Sequence, residues 1–346
     1  MNQKSCNKCI FTMLSESSYG VEFLKVIGVY AVLSLVTLRI KLFVTPNWFD
    51  PGGLVTNHYM LTRWKYTNNE QSRVLQWLIP DGLHDLTGWT IPEAYMFQRW
   101  FFVLLAFVCF HFFLRKWFKA PAAFGAVCFL AAVMPLSYMN YLQESFSLLL
   151  FSFVLILWLI REKLNWQYAV VLLLASMNNE TVLILPAVFF FYNFKTWKFK
   201  PLCKLTGLTL LTCAPAYIWS AWIRFFTVYI CDTQHLGGGW HLDVNLHNLW
   251  FSLGISPFQY WKAWYLYIIF VFGLLWLFAY LRFKDKPLFL RRASLMIPLF
   301  IICHLITGRI EEVRQMLPLA FIIVPMGMIY MFPELKIENC KESGHD

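Results

Sequence analysis

Apolar residues form long runs along this chain, separated by shorter polar segments. A membrane-spanning helix needs about 20 predominantly apolar residues, and fewer where the bilayer or the protein thins. We therefore expect an all-α, polytopic integral membrane protein with about ten transmembrane helices. The predicted spans are residues 23–44, 99–115, 120–138, 146–160, 166–178, 181–194, 202–228, 263–281, 294–308 and 315–332.

The composition excludes a soluble monomer. Of the 346 residues 59% are hydrophobic and 14% are charged, and the mean hydropathy is +0.55. Soluble globular proteins carry about 25% charged residues, so this chain has too little polar surface to dissolve alone. No composition shift marks a second, soluble domain, which predicts one transmembrane domain over residues 1–346. The first apolar run is long enough to span and lacks a small-residue cleavage site after it, so we expect no cleavable signal peptide.

The net charge of +10 is spread unevenly. Basic residues concentrate in short segments after every second predicted span, and Lys and Arg accumulate on the cytoplasmic side of membrane proteins. This distribution predicts cytoplasmic N and C termini and argues against nucleic acid as a partner. The basic segments are Lys4 to Lys25, residues 115–119, 161–163, 195–204 and 282–292, and Lys336 with Lys341.

The two longest connections fall on the outer side in this topology. They are residues 45–98 and 229–262, both rich in Trp, Tyr, Pro, Gly, His and Asp. Residues 72–88 of the first connection predict a short amphipathic helix, which should lie along the membrane surface. Its apolar face comprises Val74, Leu75, Leu78 and Ile79.

Polar residues interrupt the apolar run at MNNETVLILP, residues 177–186. The apolar segments on either side are each flanked by a basic cluster, so a helical hairpin with Glu180 at its tip is the consistent solution. Each arm has about 13 residues, or about 20 Å of helix, which is shorter than the roughly 30 Å hydrocarbon core. Two interpretations remain open. Glu180 lines an outward-facing polar cavity, or the asparagines cap helices and Glu180 pairs with a neighbouring Arg.

Other polar groups should reach the same side of the membrane. Residues 138–145 bring Glu144, residues 308–318 bring Arg309 and Arg314, and the first outer loop brings several acidic and basic residues. Carboxylates and arginines at this depth predict a polar site.

A set of short motifs resembles bacterial polytopic membrane proteins of the GT-C glycosyltransferase superfamily, or their relatives of unassigned activity. The motifs are FDPGG (49–53), RVLQWLIP (73–80), LHDLTG (83–88), NNETVLILP (178–186) and EEVRQMLPL (311–319). The resemblance implies a bacterial inner membrane protein that moves a sugar from a polyprenyl-phosphate carrier to a glycan, lipid or protein at the outer face. Many members carry a pair of acidic residues in the first outer loop, whereas Asp50 stands alone here.

The implied chemistry needs a base, cations for the leaving phosphate and an apolar groove for the isoprenoid. Asp50 takes the position of the family's loop acid and is the first candidate for the base, with Glu180 as a second catalytic carboxylate; Asp-Pro-Gly-Gly also predicts a turn. Arginine suits phosphate because its guanidinium binds bidentately. The predicted substrate-binding residues are Arg73, Glu144, Asn179, Trp240, Arg309 and Arg314.

Each of these roles has an alternative. Arg309 and Arg314 could instead pair with Glu311 or Glu312, and Arg73 could anchor a surface helix to lipid headgroups. Trp240, in a Gly-rich loop, suits stacking on a sugar ring. Histidines in that loop could bind a divalent metal ion, but their spacing matches no compact site, and no cofactor is predicted.

Three functions compete on this sequence. The first is a lipid-linked-sugar glycosyltransferase, the second a catalytically inert GT-C-like subunit bound to other membrane protein subunits, and the third a transporter. A transporter predicts two related halves and polar residues through the full membrane depth, and neither is present. Membrane lipids and the polyprenyl-phosphate donor are the expected partners.

Overall fold

A computed structural model describes residues 17–44, 50–65, 69–137, 146–230, 241–246, 271–308, 313–335 and 337. Within these ranges the regular secondary structure is helical and includes no β-strand. The predicted all-α class is therefore confirmed for the part of the chain that the structure describes.

The N-terminal half consists of helices joined by short connections. These are α1 (Ser17–Val44), α2 (Pro51–Thr62), α3 (Val74–Thr87), α4 (Ile91–Leu114), α5 (Ala120–Ser137), α6 (Phe146–Arg161) and α7 (Asn165–Ser176). A 3₁₀ turn at Asn69–Ser72 precedes α3.

In the described part of the C-terminal half the helices are shorter on average. They include α8 (Leu185–Asn193), α9 (Phe199–Phe225), α10 (Leu275–Tyr280), α11 (Leu288–Ala293), α12 (Met296–Thr307) and α13 (Ala320–Met331), and residues 242–246 form a further helical turn. A 3₁₀ segment, Glu180–Ile184, leads into α8, and another, Val313–Leu319, leads into α13. A π-helical turn, Phe226–Ile230, extends α9.

Five stretches are long and apolar enough to cross a membrane: Phe23–Val44, Ile91–Leu114, Phe199–Tyr229, Leu288–Thr307 and Arg314–Met331. Three shorter apolar helices, Ala120–Pro135, Phe146–Arg161 and Glu180–Asn193, accompany them. These helices are consistent with a helical membrane protein, and five spans within the described residues meet the length criterion, so the predicted count of ten is not confirmed.

Helix α4 begins eight residues earlier than the predicted span. Thr90 accepts a hydrogen bond from the Glu93 backbone N–H, and the Glu93 side chain accepts from the Thr90 backbone N–H, with a proline in the first turn. This reciprocal capping box fixes the start of the helix at Ile91. The predicted loop 45–98 therefore contains the first two turns of α4.

The centre of the molecule is formed by α4, α6 and α13, whose side chains are the most completely buried. Phe110 and Phe153 both pack on Phe321, with ring centroids 4.9 and 6.2 Å apart. At these separations aromatic rings contribute beyond simple area burial.

Several basic connections meet at one end of the helices. The Lys116 ammonium lies 3.2 Å from the Glu162 carboxylate, which joins the turn after α4 to the turn after α6. The Lys119 backbone N–H donates to the Leu335 carbonyl at 3.0 Å, which brings the C-terminal segment to the same place.

Two further contacts extend this group. The Arg292 guanidinium donates to the carbonyls of Tyr192 and Phe194 at 2.8 and 2.6 Å, so α11 meets the end of α8. Phe23, near the start of α1, packs on Phe112 in the last turn of α4. We call this end of the molecule the basic end, because it brings together described parts of the basic segments that the sequence places on one side of the membrane.

The opposite ends of the helices meet on the other side of the molecule. Lys41, near the end of α1, donates to the Pro135 carbonyl near the end of α5 at 3.3 Å. Asn245 of the second predicted outer loop donates to the carbonyls of Leu305 and Gly308, at the end of α12, at 2.8 and 2.7 Å. We call this side the tip end, because it also holds the hairpin tip described next.

Candidate functional site

The apolar run is broken at residues 177–179, as the sequence predicts. Helix α7 ends at Ser176, and Asn179 adopts an extended conformation (φ −159°, ψ 127°). The Asn179 side-chain oxygen accepts a hydrogen bond from the Thr181 backbone N–H at 3.0 Å. Asparagine favours such N-terminal caps because its short side chain satisfies a free backbone donor. The break therefore restarts the helix at Glu180.

The chain reverses direction at this break. The rings of Tyr168 in α7 and Phe189 in α8 stack with centroids 5.1 Å apart. In one continuous helix, residues 21 positions apart would be separated by roughly 31 Å along the axis. The two arms are therefore antiparallel, and Glu180 lies at the tip of a hairpin.

Two arginines bind the Glu180 carboxylate. The Arg73 guanidinium places Nε 3.4 Å from Oε2 and Nη2 3.5 Å from Oε1. Arg224 places Nη2 3.4 Å from Oε1. The side chains of Arg73, Glu180 and Arg224 are 16%, 29% and 41% exposed. This arginine–glutamate cluster has two positive charges against one negative charge, and Arg224 is its most accessible member.

The backbone fixes the position of each arginine. The Leu75 backbone N–H donates to the Met177 carbonyl at 3.1 Å, which ties the start of α3 to the hairpin tip and places Arg73 beside Glu180. Arg224 lies in the last turn of α9, 25 residues after Phe199 and so about 38 Å along the helix from its basic end. A single long helix thus connects the cluster with the opposite side of the molecule.

Aromatic side chains pack next to the arginine–glutamate cluster. Val74 and Ile223, the sequence neighbours of Arg73 and Arg224, pack together in a small apolar core. The Trp64 ring lies 5.8 Å from the Trp77 ring and 5.1 Å from the Phe226 ring, centroid to centroid. We call the following residues the aromatic wall: Trp64, Trp77, Trp219, Trp222 and Phe226.

A second cluster of polar side chains connects α2, α3 and α4. His58 is buried; its Nε2 lies 3.1 Å from the Asp81 carboxylate and its Nδ1 lies 3.2 Å from the Tyr95 hydroxyl. Because a carboxylate only accepts, Nε2–H donates to Asp81 and Nδ1 accepts from Tyr95. Burial lowers the pKa of His58 below its ordinary value, and the hydrogen bond to Asp81 offsets part of that effect.

Asp50 lies at some distance from the cluster. Its two carboxylate oxygens accept from the backbone N–H groups of Gly52 and Gly53, each at 3.2 Å, and it caps α2 in an exposed position. The pairing of His58 with Asp81, and the packing of Leu61 on Val74 and Trp77, show that α2 and α3 run antiparallel. Asp50 and Arg73 are therefore at opposite ends of a helix pair about 18 Å long.

Of the other predicted site residues, the structure describes Asn179 and Arg314 and does not describe three others. Asn179 is buried at the hairpin tip, where its side chain caps the 3₁₀ segment. Arg314 is half-buried in the 3₁₀ segment before α13. The two arginines that contact Glu180 are Arg73 and Arg224. Glu144, Arg309 and Trp240 lie outside the described residues.

Residue Arg224 and the aromatic wall were not singled out from the sequence. Arg224 lies within a predicted span, where an ionisable residue generally faces a partner or a cavity. Its position in the sequence is therefore enough to mark it as a candidate site residue. The wall draws its members from segments more than 140 residues apart, and no local pattern connects them.

The described residues contain no group of three or more His, Cys, Asp or Glu side chains placed to hold a metal ion. Of the loop histidines considered for a metal, only His241 is within the described residues. Its backbone N–H donates to the Ile306 carbonyl at 2.8 Å.

No protein-family model, no curated protein and no solved structure matches this chain. The fold and composition of the described residues are consistent with a helical membrane protein, and a charged cluster lies beside an aromatic wall at one end of the helices.

Proposed function

We propose that this protein is a membrane glycosyltransferase that takes a sugar from a polyprenyl-phosphate carrier at the outer face of a bacterial inner membrane. The acceptor is a glycan, lipid or protein. The observation that carries the proposal is the arginine–glutamate cluster, where a mostly buried guanidinium (Arg73) and a more exposed one (Arg224) lie beside an aromatic wall at the end of a long apolar helix.

The donor's phosphate fits the two arginines. A guanidinium donates two parallel hydrogen bonds to phosphate oxygens, and two of them can offset the charge that grows on the leaving group. Glu180 holds the arginines in place before the donor binds. Because two cations stabilise its carboxylate, Glu180 is suited to positioning them rather than to accepting a proton.

The sugar fits the aromatic wall. Trp222 is about half exposed and stacks near Phe226, with ring centroids 5.5 Å apart. A flat apolar face of this kind can cover one side of a sugar ring. The predicted stacking residue Trp240 would add to it from the second outer loop.

The isoprenoid fits the surface of α9. Leu211, Ile218 and Phe225 are exposed on this helix, which is long and apolar enough to span the membrane. A polyprenyl chain lying along that surface would bring its phosphate to the end that carries Arg224.

In the proposed reaction an acceptor hydroxyl attacks the anomeric carbon, the carbon–oxygen bond to phosphate breaks, and polyprenyl phosphate leaves with the bonding electrons. A carboxylate takes the hydroxyl proton. The resemblance assigns this role to Asp50, and the geometry offers Asp81, which is partly exposed, is supported by His58 and lies between Asp50 and the cluster.

The basic end faces the cytoplasm in this proposal, with both termini on that side. The expected partners are membrane lipids, the donor and its acceptor.

The test is sugar transfer by purified protein in lipid nanodiscs, measured as release of polyprenyl phosphate from a panel of polyprenyl-phosphate sugars. We expect Arg73→Gln and Arg224→Gln to lower turnover by roughly 10²–10³-fold, the usual effect of removing one donor to a developing oxyanion. The matched control is Lys65→Gln, which removes an exposed charge from the connection between α2 and α3 that also carries Arg73. Asp50→Asn and Asp81→Asn identify the base, which should contribute roughly 10²–10⁴-fold.

One observation favours the inert-subunit alternative. Both Asp50 oxygens are engaged in capping α2, and Glu180 is paired with two arginines. If the wild-type protein releases no polyprenyl phosphate from any donor, the enzymatic proposal fails and the inert-subunit alternative replaces it.

A further inference from the structure

A cleft of about 400 Å³ lies at the basic end, between the end of α8 and the start of α9. Its polar wall consists of Asn193, Lys195, Thr196 and Lys204. The size is sufficient for a phosphodiester headgroup with part of its glycerol, since ligand pockets begin at about 300 Å³.

The apolar wall of the cleft continues along α9. It is formed by Leu202, Leu205 and Leu208, which are spaced three residues apart and therefore follow one face of the helix for about 9 Å. Leu205 and Leu208 also pack against the main core. Because α9 is a candidate span, this stripe leads from the cleft toward the membrane interior.

The cleft is electropositive. Among the described residues, neither Lys195 nor Lys204 has a carboxylate within ion-pair distance, and residues 193–230 contain no Asp or Glu. The Thr196 hydroxyl oxygen accepts from the Lys198 backbone N–H at 3.3 Å, which leaves its own hydrogen to donate. The cleft therefore offers two ammonium groups and a hydroxyl donor to an anion.

The surroundings of the cleft are suited to a bilayer surface. Trp197, in the same loop as Lys195, and Phe199, the first residue of α9, are both 82% exposed. Aromatic residues of this kind concentrate at the membrane–water interface. The cleft is also separated by most of the length of α9 from Arg224, so it is distinct from the arginine–glutamate cluster.

We propose that this cleft is a binding site for an anionic phospholipid of the membrane leaflet at the basic end. The phosphodiester lies between Lys195 and Lys204, and one acyl chain follows Leu202, Leu205 and Leu208. The positive charge selects an anionic lipid over a zwitterionic one, and the leucine stripe selects a lipid over free phosphate. The proposal depends on the membrane-protein class and not on the enzymatic activity.

The test is lipid binding to delipidated, detergent-purified full-length protein, measured by native mass spectrometry during titration with phosphatidylglycerol or phosphatidylcholine. We expect one phosphatidylglycerol to bind more tightly than the rest. A lysine near an anionic lipid surface contributes roughly 5-fold in affinity, so Lys195→Gln with Lys204→Gln should weaken that site roughly 30-fold. Phosphatidylcholine should bind weakly to both proteins.

The control is Lys198→Gln with Lys200→Gln, which removes the same charge from the same segment outside the cleft. We expect this control to keep the tight site. Equal weakening by both double variants would show general surface attraction and overturn the site, as would equal binding of the two lipids. Displacement of the lipid by inorganic phosphate would also overturn it.

A second variant keeps every charge. Leu205→Trp should fill the apolar wall and remove the tight site, while the thermal midpoint without lipid shows that the protein is folded. Retention of the tight site in folded Leu205→Trp protein would contradict the proposed path of the acyl chain.

Discussion

Replacing Glu180 with Gln is the most informative change at the arginine–glutamate cluster. Glutamine keeps the shape and a carbonyl oxygen but removes the negative charge. Arg73 and Arg224 then face each other's positive charge with no carboxylate between them. The hairpin tip should lose stability for this reason alone, whatever the activity of the protein.

The expected loss follows from distance and exposure. A hydrogen bond to a charged group contributes about 1.5–3 kcal/mol, and an exposed ion pair about 0.2–1 kcal/mol. The Arg73 contacts are long, at 3.4 and 3.5 Å, but mostly buried, so we assign them about 1.5 kcal/mol. Arg224 is 41% exposed, so we assign its pair about 0.5 kcal/mol. Glu180→Gln should therefore lower the free energy of unfolding by about 2 kcal/mol.

The assay is a pair of double-mutant cycles on unfolding by SDS in mixed micelles. One cycle combines Glu180→Gln with Arg73→Gln, and the other combines it with Arg224→Gln. A cycle cancels the contacts that each arginine makes elsewhere. We expect coupling energies of about 1.5 and 0.5 kcal/mol in that order.

A coupling below about 0.3 kcal/mol for Arg73 would show that Arg73 and Glu180 do not stabilise each other, because that is the usual error of additivity between independent sites. A larger coupling for Arg224 than for Arg73 would refute the ranking by burial.

Three further predictions follow from other parts of the fold. Asp50→Ala should lower the unfolding free energy by about 1 kcal/mol through loss of the α2 cap, whereas Asp50→Asn should leave it nearly unchanged, since both residues cap well. Because the pKa of His58 is lowered in the folded state, the unfolded state binds its proton first as the pH falls below about 6.5. Wild-type protein should then lose up to about 1.4 kcal/mol per pH unit between pH 7.5 and 5.5 relative to His58→Gln, and equal slopes would contradict this. Gly327→Ala should destabilise by about 1–3 kcal/mol because an added Cβ would meet a neighbouring leucine at 2.6 Å, whereas Gly125→Ala, with nothing within 4 Å, should not; equal thermal midpoints would contradict this.

The sequence predicts helix positions well where apolar runs have clear ends. The edges of α5, α6 and α7 fall within two residues of the predicted spans. The prediction fails at α4, where the capping box at Thr90 and Glu93 moves the start to Ile91. That signal is local and readable, but hydropathy alone does not contain it.

Helix α3 shows a second limit of prediction from sequence, which concerns burial rather than helix position. The sequence places Val74 and Leu78 on one apolar face. The structure buries Val74 with Trp77 and leaves Leu78 exposed. The helical period identifies an apolar face but not what covers it, and here the end of α9 covers only part of it.

The position of Glu180 at a hairpin tip follows from MNNETVLILP and the flanking basic clusters. Its pairing with an arginine is one of the two interpretations that the sequence leaves open. The identity of the arginines does not follow from the sequence, because Arg73, Glu180 and Arg224 meet only through the tertiary fold. The pairing of His58 with Asp81 likewise depends on how α2 folds back on α3.

The most direct measurement of the central claim is crosslinking of a photoreactive polyprenyl phosphate to the purified protein in nanodiscs. We expect adducts on Trp64, residues 70–77 and residues 219–229, which border the cluster. Arg73→Gln with Arg224→Gln should remove them, while Lys65→Gln should not. Adducts confined to other segments, or adducts at these segments that persist in the double arginine variant, would contradict the proposal that the arginine–glutamate cluster binds the donor phosphate.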